Sequence, residues 1–105
     1  MPGSSHSGFF VYILASDRNG TLYVGMTEDL AKRVWEHRES VRRGFTAKYG
    51  VKSLVWFEVH PSRETAFIRE RQLKKWKRAW KLELIEESNP TWRDLWSELG
   101  PDARQ

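Results

Sequence analysis

The sequence contains no cysteine and no long hydrophobic run. Without cysteine, the chain cannot form a disulfide framework, a thiolate zinc site or a cysteine nucleophile. The early apolar run Phe9–Ala15 spans seven residues, far short of the roughly 20 that a membrane-spanning helix requires, and no Lys or Arg precedes it as in a signal peptide. We therefore expect a cytoplasmic protein that makes no membrane contact.

The length of 105 residues is sufficient for one compact domain with its own hydrophobic core, and too short for two. Residues 1–8 are small, polar and turn-forming, which predicts a disordered lead-in. We expect a single domain over residues 9–99, followed by a tail over residues 100–105.

Apolar and β-branched segments predict three strands, over residues 9–15, 21–25 and 53–59. Thr27 is the predicted N-cap of a first helix that runs to Arg43 and ends at Gly44, and residues 44–50 are predicted to form a loop.

A second helical pattern begins after Ser62 and ends at Ser88, with a break expected near residues 77–79. Thr91 and Asp94 resemble a capping box and predict a short amphipathic helix. The order β-β-α-β-α-α plus this short helix predicts an α+β fold, in which helices flank a three-stranded antiparallel sheet.

Glu70 interrupts the apolar stripe of the second helical segment, which is formed by Ala66, Leu73, Trp76 and Trp80. A carboxylate there faces the domain, where an unpaired charge is costly. It could pair with a base such as Lys74, four residues on, or it could bind a hard divalent cation.

His37 lies on the apolar stripe of the first helix with Leu30, Val34 and Val41, and Arg33 precedes it by one turn. Arg33 and His37 can therefore reach one point. The alternative pairs Arg33 with Asp29 and leaves His37 as a hydrogen-bonded boundary residue.

Tyr12 and Tyr23 occupy the first two strands, and the loop between the strands determines how they pair. A four-residue loop over residues 16–19 would place the two tyrosines directly opposite one another, whereas a two-residue turn at residues 19–20 would separate them. We predict the four-residue loop. The pair could serve chemistry or packing alone.

Seven of the thirteen residues from Arg69 to Lys81 are basic, in a chain with a net charge of +4. Helical spacing would place four of them on one side, where they could contact nucleic-acid phosphates or form a solvated face: Arg71, Lys74, Lys75 and Arg78. Trp92 and Trp96 are apolar core candidates that could instead bind a protein partner or a second copy of the chain.

Four segments in this order, VYIL, LYVG, DLAKRVWEH and RERQLKKW, resemble the GIY-YIG nuclease superfamily, and specifically its small stand-alone bacterial members. The resemblance covers residues 9 to 87. It implies a catalytic set that it maps onto five positions of this sequence: Tyr12, Tyr23, Arg33, His37 and Glu70. Gly25 matches the glycine of the second motif, but Phe10 replaces that of the first, and Met26 stands where several members have lysine.

The resemblance implies a divalent-metal-dependent endonuclease that hydrolyses phosphodiester bonds, with DNA favoured over RNA and DNA repair as a setting. Glu70 would bind Mg²⁺ or Mn²⁺, and Arg33 would stabilise negative charge on the phosphate. Tyr12 would act as the base if Arg33 and the metal lowered its pKa, with His37 as the alternative base. Met26 and the lack of a DNA-targeting domain favour another function, a catalytically weak nucleic-acid-binding module.

Overall fold

The sheet has three antiparallel strands in the order β2-β1-β3. The computed structural model describes residues 8–39 and 44–99. The strands are β1 (Phe9–Ala15), β2 (Leu22–Thr27) and β3 (Ser53–His60). Residues 11–15 of the central strand are fully buried, which explains why this segment is apolar at every position.

Helices cover both faces of the sheet. They are α1 (Leu30–Arg38), α2 (Phe45–Tyr49), α3 (Arg63–Lys75), α4 (Arg78–Ser88) and a 3₁₀ helix, Leu95–Leu99. The predicted α+β class and element order are confirmed, with α2 as an additional element. The longest helix in the described part of the chain has 13 residues, and none there is long and apolar enough to cross a membrane.

Alternate residues of β1 face two separate clusters. Val11 and Ile13 pack with Ala66, Leu73 and Ile85 of α3 and α4. On the other face, Tyr12 and Leu14 pack with Leu30 and Val34 of α1 and with Leu95. The period of two along a strand thus assigns Tyr12 to the α1 face.

The hairpin differs from the predicted register. Ala15 pairs with Leu22, so Tyr12 lies opposite Gly25 and Leu14 lies opposite Tyr23. Ser16 and Thr21 extend the connection, because Ser16 N donates to Thr21 O (3.0 Å) and Thr21 N donates to Ser16 Oγ (2.9 Å). The prediction that Tyr12 faces Tyr23 directly is wrong by two residues, but a shift of two keeps both tyrosines on one face.

The first helix is shorter than predicted. Its N-cap is Asp29, whose side chain accepts from Lys32 N (3.1 Å), whereas Thr27 ends β2 and accepts from Asp29 N (3.0 Å). The helix ends at Arg38. Val41 and the predicted end at Arg43 lie outside the described residues.

The predicted loop over residues 44–50 is wrong, because it contains α2. The helix lies between Gly44 (φ 126°) and its C-cap Gly50 (φ 63°), a positive-φ residue that ends it at little steric cost. Five residues are too few to show a helical period in the sequence.

The predicted start of α3 and end of α4 are confirmed, and the break between the helices begins one residue before the predicted residues 77–79. Ser62 accepts from Thr65 N as the N-cap, the chain breaks at Trp76 and Lys77, and α4 ends at Ser88. The Thr91–Asp94 capping box is wrong, since Asp94 Oδ1 accepts instead from Leu54 N (3.1 Å) and Trp96 N (3.0 Å).

Trp92 lies in the core, as the first of the two interpretations of the sequence predicts. The residue is 7% exposed and its Nε1 donates to Glu86 (2.8 Å). Trp96 is half-buried, and the Arg38 guanidinium lies 5.4 Å from its ring centre. Both rings therefore belong to the packing between the C-terminal segment and the sheet.

Asn89 attaches this segment to the outer edge of the sheet. Its fully buried amide donates to Val55 O (3.1 Å) and Arg93 O (2.9 Å) and accepts from Arg93 N (3.1 Å). Val55 lies at the β-bulge opposite Ile13 and Leu14. The amide therefore satisfies a carbonyl at a point where the strand ladder is irregular.

We expect Asn89→Ala to lower the free energy of unfolding by about 2–3 kcal/mol, because it removes three hydrogen bonds and leaves buried polar groups unpaired. Denaturant melting measures the change. Gln72→Ala, which removes an exposed amide from α3, serves as the control and should change stability by less than about 0.5 kcal/mol. Equal effects from the two substitutions would contradict an anchoring role for Asn89.

Candidate active site

The Tyr12 side chain crosses over the backbone of Gly25 on the neighbouring strand. A Cβ atom at position 25 would lie 2.5 Å from Tyr12 Oη and 2.6 Å from Tyr12 Cζ, and 3.0 Å from a ring carbon of Tyr23. No real Cβ makes contacts that close. Glycine is therefore the residue that permits this approach.

The hydroxyl of Tyr12 reaches His37 of α1. Tyr12 Oη lies 3.3 Å from His37 Nε2, and His37 Nδ1 lies 2.9 Å from Thr46 Oγ1 of α2. The Tyr23 ring centre is 5.4 Å from that of His37 and 6.3 Å from that of Tyr12. Three of the predicted site residues thus form one cluster, in which His37 is buried between two hydroxyl groups.

Arg33 hydrogen-bonds to Tyr12 from the preceding turn of α1. Its Nε also lies 3.3 Å from Glu36 Oε1, so its acidic partner is Glu36 rather than Asp29. Arg33 is partly exposed and lines a groove of about 360 Å³. Lys32 and Arg63 are also among the residues that line this groove. Solvent and ligands can therefore reach the guanidinium, unlike the buried tyrosine ring.

Glu70 approaches the site from the other layer. Its helix, α3, packs on the face of the sheet opposite Tyr12. The side chain is only 14% exposed, and its Oε2 lies 3.0 Å from Lys74 Nζ. The pairing with Lys74 that the sequence suggests is therefore present, and the Glu70 charge still acts on Tyr12.

Burial raises the pKa of Tyr12 above its usual value, and the charges of Tyr23 and Glu70 raise it further. Arg33 lowers this pKa through its charge and its hydrogen bond, but burial outweighs Arg33. Arg33 therefore acts in the expected direction, but the net pKa of Tyr12 stays above its usual value. Tyr12 is a neutral phenol at physiological pH.

The residues present fit a divalent cation bound through one carboxylate. Within residues 8–39 and 44–99, no three His, Cys, Asp or Glu side chains come together as a metal site. Glu70 offers a mostly buried carboxylate, the type of donor that a hard cation takes, and its Oε2 is paired with Lys74 Nζ at 3.0 Å. Mg²⁺ suits such a site, because it keeps several waters and uses one or two carboxylates together with substrate phosphates.

The predicted phosphate-binding residues do not form one helical face. Arg71, Lys74 and Lys75 lie on α3, and all three are exposed. Arg78 begins α4, and its Nη2 donates to Asn19 O and Gly20 O (both 2.7 Å). Arg78 therefore supports the β1–β2 loop.

Two residues that the sequence analysis did not identify support the site. Glu36 contacts Arg33, and its spacing of three residues on a helix is a signal that could have found it. Thr46 contacts His37 from α2. No sequence signal pointed to Thr46, because α2 was not predicted.

We expect Gly25→Ala to lower the free energy of unfolding by about 1–3 kcal/mol, since the new methyl group overlaps the Tyr12 ring. In a Tyr12→Ala background that overlap is absent and only the 3.0 Å approach to Tyr23 remains, so Gly25→Ala should cost less there than in the wild type. Denaturant melting of the four proteins gives the coupling between the two positions. Additive costs would show that Tyr12 does not lie over Gly25.

We expect Tyr12 to stay protonated when an ordinary tyrosine, with a pKa near 10, has ionised. At about pH 11 the folded wild type and Tyr12→Phe should show equal tyrosinate absorbance, and they should differ by one tyrosinate only in denaturant. Because the folded pKa is raised, the stability that Tyr12 contributes is complete below about pH 10 and declines above it. A difference of one tyrosinate between the folded proteins would contradict the raised pKa.

Comparison with known proteins identifies the family. The family model of the GIY-YIG catalytic domain matches residues 8–83. A UPF0213 protein of Clostridium perfringens is 37% identical over 76 residues, which cover 72% of this chain and 81% of that protein. A UPF0213 protein of Syntrophus aciditrophicus is 39% identical over 88 residues, which cover 75% of this chain and 91% of that protein.

A solved structure has the same fold. The solution NMR structure of a UPF0213 protein from Bacillus halodurans matches with a TM-score of 0.53 and 27% identity, over 89% of this chain and 97% of that one. The two tyrosines, the glycine that Tyr12 crosses, and the arginine, histidine and glutamate beside them all lie within the matched segment. The chain therefore belongs to the GIY-YIG domain family, a family of nuclease type.

Proposed function

We propose that this protein is a divalent-metal-dependent endonuclease that hydrolyses phosphodiester bonds in nucleic acid, with DNA as the favoured substrate. The observation that carries the proposal is the meeting of Tyr12, His37 and Arg33 at one point, with the Glu70 charge acting on the same hydroxyl. A phenol, an imidazole, a guanidinium and a carboxylate together supply the proton transfer and charge stabilisation that hydrolysis of a phosphodiester requires.

Arg33 would stabilise the negative charge that develops on the phosphate. Its guanidinium borders the open groove, so a phosphate can approach it, while Tyr12 and Glu36 hold its orientation. Guanidinium groups bind phosphate oxygens through paired N–H donors in a fixed plane. An arginine that is already oriented pays little further cost as the charge develops.

Tyr12 and His37 would act as a coupled base. Tyr12 is neutral, so it can accept a proton from the attacking water only as it gives up its own. His37 Nε2, at 3.3 Å, is the neighbouring acceptor, provided that its Nδ1 carries a proton and donates it to Thr46 Oγ1. The proton of water then passes to Tyr12 Oη, and the hydroxyl proton of Tyr12 passes to His37 Nε2.

A divalent cation held by Glu70 would stabilise the departing 3′ oxygen. Lys74 is paired with the same carboxylate and would have to yield Oε2 to the ion. Arg71 and Lys75, which are exposed on the same helix, would contact the phosphates of the substrate together with the released Lys74.

A second candidate, a nucleic-acid-binding module with weak turnover, is favoured by two observations. The Tyr12 pKa is raised rather than lowered. Met26, at the position where related enzymes often have lysine, packs against the core cluster on the α3 side and supplies no charge to the groove. Such a module would bind nucleic acid without cutting it.

Incubation of the pure protein with supercoiled, branched and single-stranded substrates in Mg²⁺, Mn²⁺ or EDTA separates the two functions. An endonuclease cuts at least one substrate in the presence of a metal and none in EDTA. Binding without cleavage in all three conditions would favour the binding module over the endonuclease.

We expect Glu70→Gln to abolish cleavage while the protein stays folded, because the amide cannot replace a carboxylate as a ligand of a hard cation. Loss of the ion pair between Glu70 and the half-exposed Lys74 should cost less than about 1 kcal/mol. Affinity for nucleic acid should persist or rise, since a negative charge is removed and Lys74 is released.

Glu83→Gln, the same substitution at an exposed position on α4, provides the control and should leave cleavage unchanged. Cleavage, thermal melting and filter binding are measured on both variants. A folded Glu70→Gln protein that still cuts at the wild-type rate would rule out Glu70 as the metal ligand.

A further inference from the structure

The short helix α2 presents two aromatic rings to solvent beside the active site. Phe45 and Tyr49 are each 48% exposed, and their ring centres lie 4.8 Å apart. The single buried residue of α2 is Thr46, which contacts His37. The helix is thus attached through a polar contact to the site, while its two largest apolar side chains do not enter the core.

Exposed rings occur elsewhere on the protein, but these two are linked to the active site by ring contacts. In residues 8–39 and 44–99, three exposed rings have a cation over them: Tyr49 with Lys48, Phe67 with Arg71, and Trp80 with Lys77. Of these, Tyr49 packs on Phe45, whose ring centre lies 6.4 Å from Tyr23. Tyr23 in turn contacts Tyr12 and His37.

We infer that Phe45 and Tyr49 form a stacking platform for an unpaired base of the substrate strand, next to the phosphate that is cut. This inference rests on the proposed function, because the platform leads into that active site. Aromatic side chains stack on the faces of nucleobases, and only an unstacked base offers a free face. Lys48, 5.4 Å from the Tyr49 ring, supplies a positive charge for the backbone of the same strand.

The chemistry of the platform favours single-stranded or frayed nucleic acid over intact duplex. In a duplex the base faces are covered by neighbouring base pairs, so the two rings would meet sugars and phosphates, which they cannot stack on. A sequence-independent stacking surface also suits a domain whose described residues include no groove-reading helix separate from the catalytic core. The chemistry is shared by unpaired DNA and unpaired RNA.

Binding measurements in EDTA test the platform without any cleavage. Fluorescence anisotropy with a labelled single-stranded DNA, the matching RNA and the matching DNA duplex is compared for the wild type and Phe45→Leu/Tyr49→Leu. We expect the double variant to bind at least one single strand roughly 5- to 100-fold more weakly, and the duplex within about twofold of the wild type. The salt dependence of binding should not change, because stacking releases no counterions.

Two controls accompany this variant. Trp80→Leu removes a ring of equal exposure that also has a lysine over it, and it should leave all three affinities unchanged. Lys48→Gln should weaken binding to strand and duplex alike and should flatten the salt dependence by about one counterion.

The inference is wrong if the double variant binds single strands as the wild type does, or if it loses strand and duplex affinity equally. It is also wrong if the wild type self-associates in sedimentation and the double variant does not while its oligonucleotide affinity is unchanged, since a second copy would then occupy the surface. Selective loss of single-strand binding, in a protein that cuts nothing in any metal, would support the platform and overturn the nuclease assignment. If the protein cleaves in a metal but the double variant keeps the single-strand affinity of the wild type, the nuclease assignment is supported and the platform is overturned.

Discussion

The arrangement of the site depends on the contact between the Tyr12 ring and the Gly25 backbone. Tyr12 belongs to the buried central strand. Its hydroxyl reaches Arg33 and His37 only because position 25 of the neighbouring strand has no side chain. A methyl group there would occupy the space of the phenol oxygen. The register of the hairpin is therefore a condition for this arrangement, since a shift of one residue would turn Tyr12 to the other face.

Burial of Tyr12 sets the electrostatics of the site. Desolvation keeps the phenol neutral even with Arg33 hydrogen-bonded to it, so this arginine has no tyrosinate to neutralise. Its charge is balanced in part by Glu36 and stays accessible at the groove. In the proposed mechanism, the burial that prevents Tyr12 from acting as a free base would leave the Arg33 guanidinium able to receive an anionic phosphate, and His37 would accept the proton of the phenol.

Periodicity in the sequence predicted the features that depend on alternation along a strand or a helix, and missed those that depend on loops. The predicted hairpin put Tyr12 and Tyr23 on one face, and the period of a helix put His37 and Glu70 on inward-facing stripes. The two-residue error in register arose because the Ser16–Thr21 hydrogen bonds lie outside any strand pattern. Whether Glu70 would share the face of Tyr12 depended on how α3 crosses the sheet, which a one-dimensional pattern does not contain.

The helix α2 shows why the missed elements matter for the site. Its inward residue, Thr46, contacts His37 Nδ1, so Nε2 is the ring nitrogen that faces Tyr12. Its outward residues, Phe45 and Tyr49, extend the aromatic surface of Tyr23 into solvent. A strand stacked on those rings would rest on the same helix that orients the histidine. Movement of α2 on binding would therefore alter the path of the proton from Tyr12 to His37. The helix, five residues between Gly44 and Gly50, would thus link substrate contact to activation of the base.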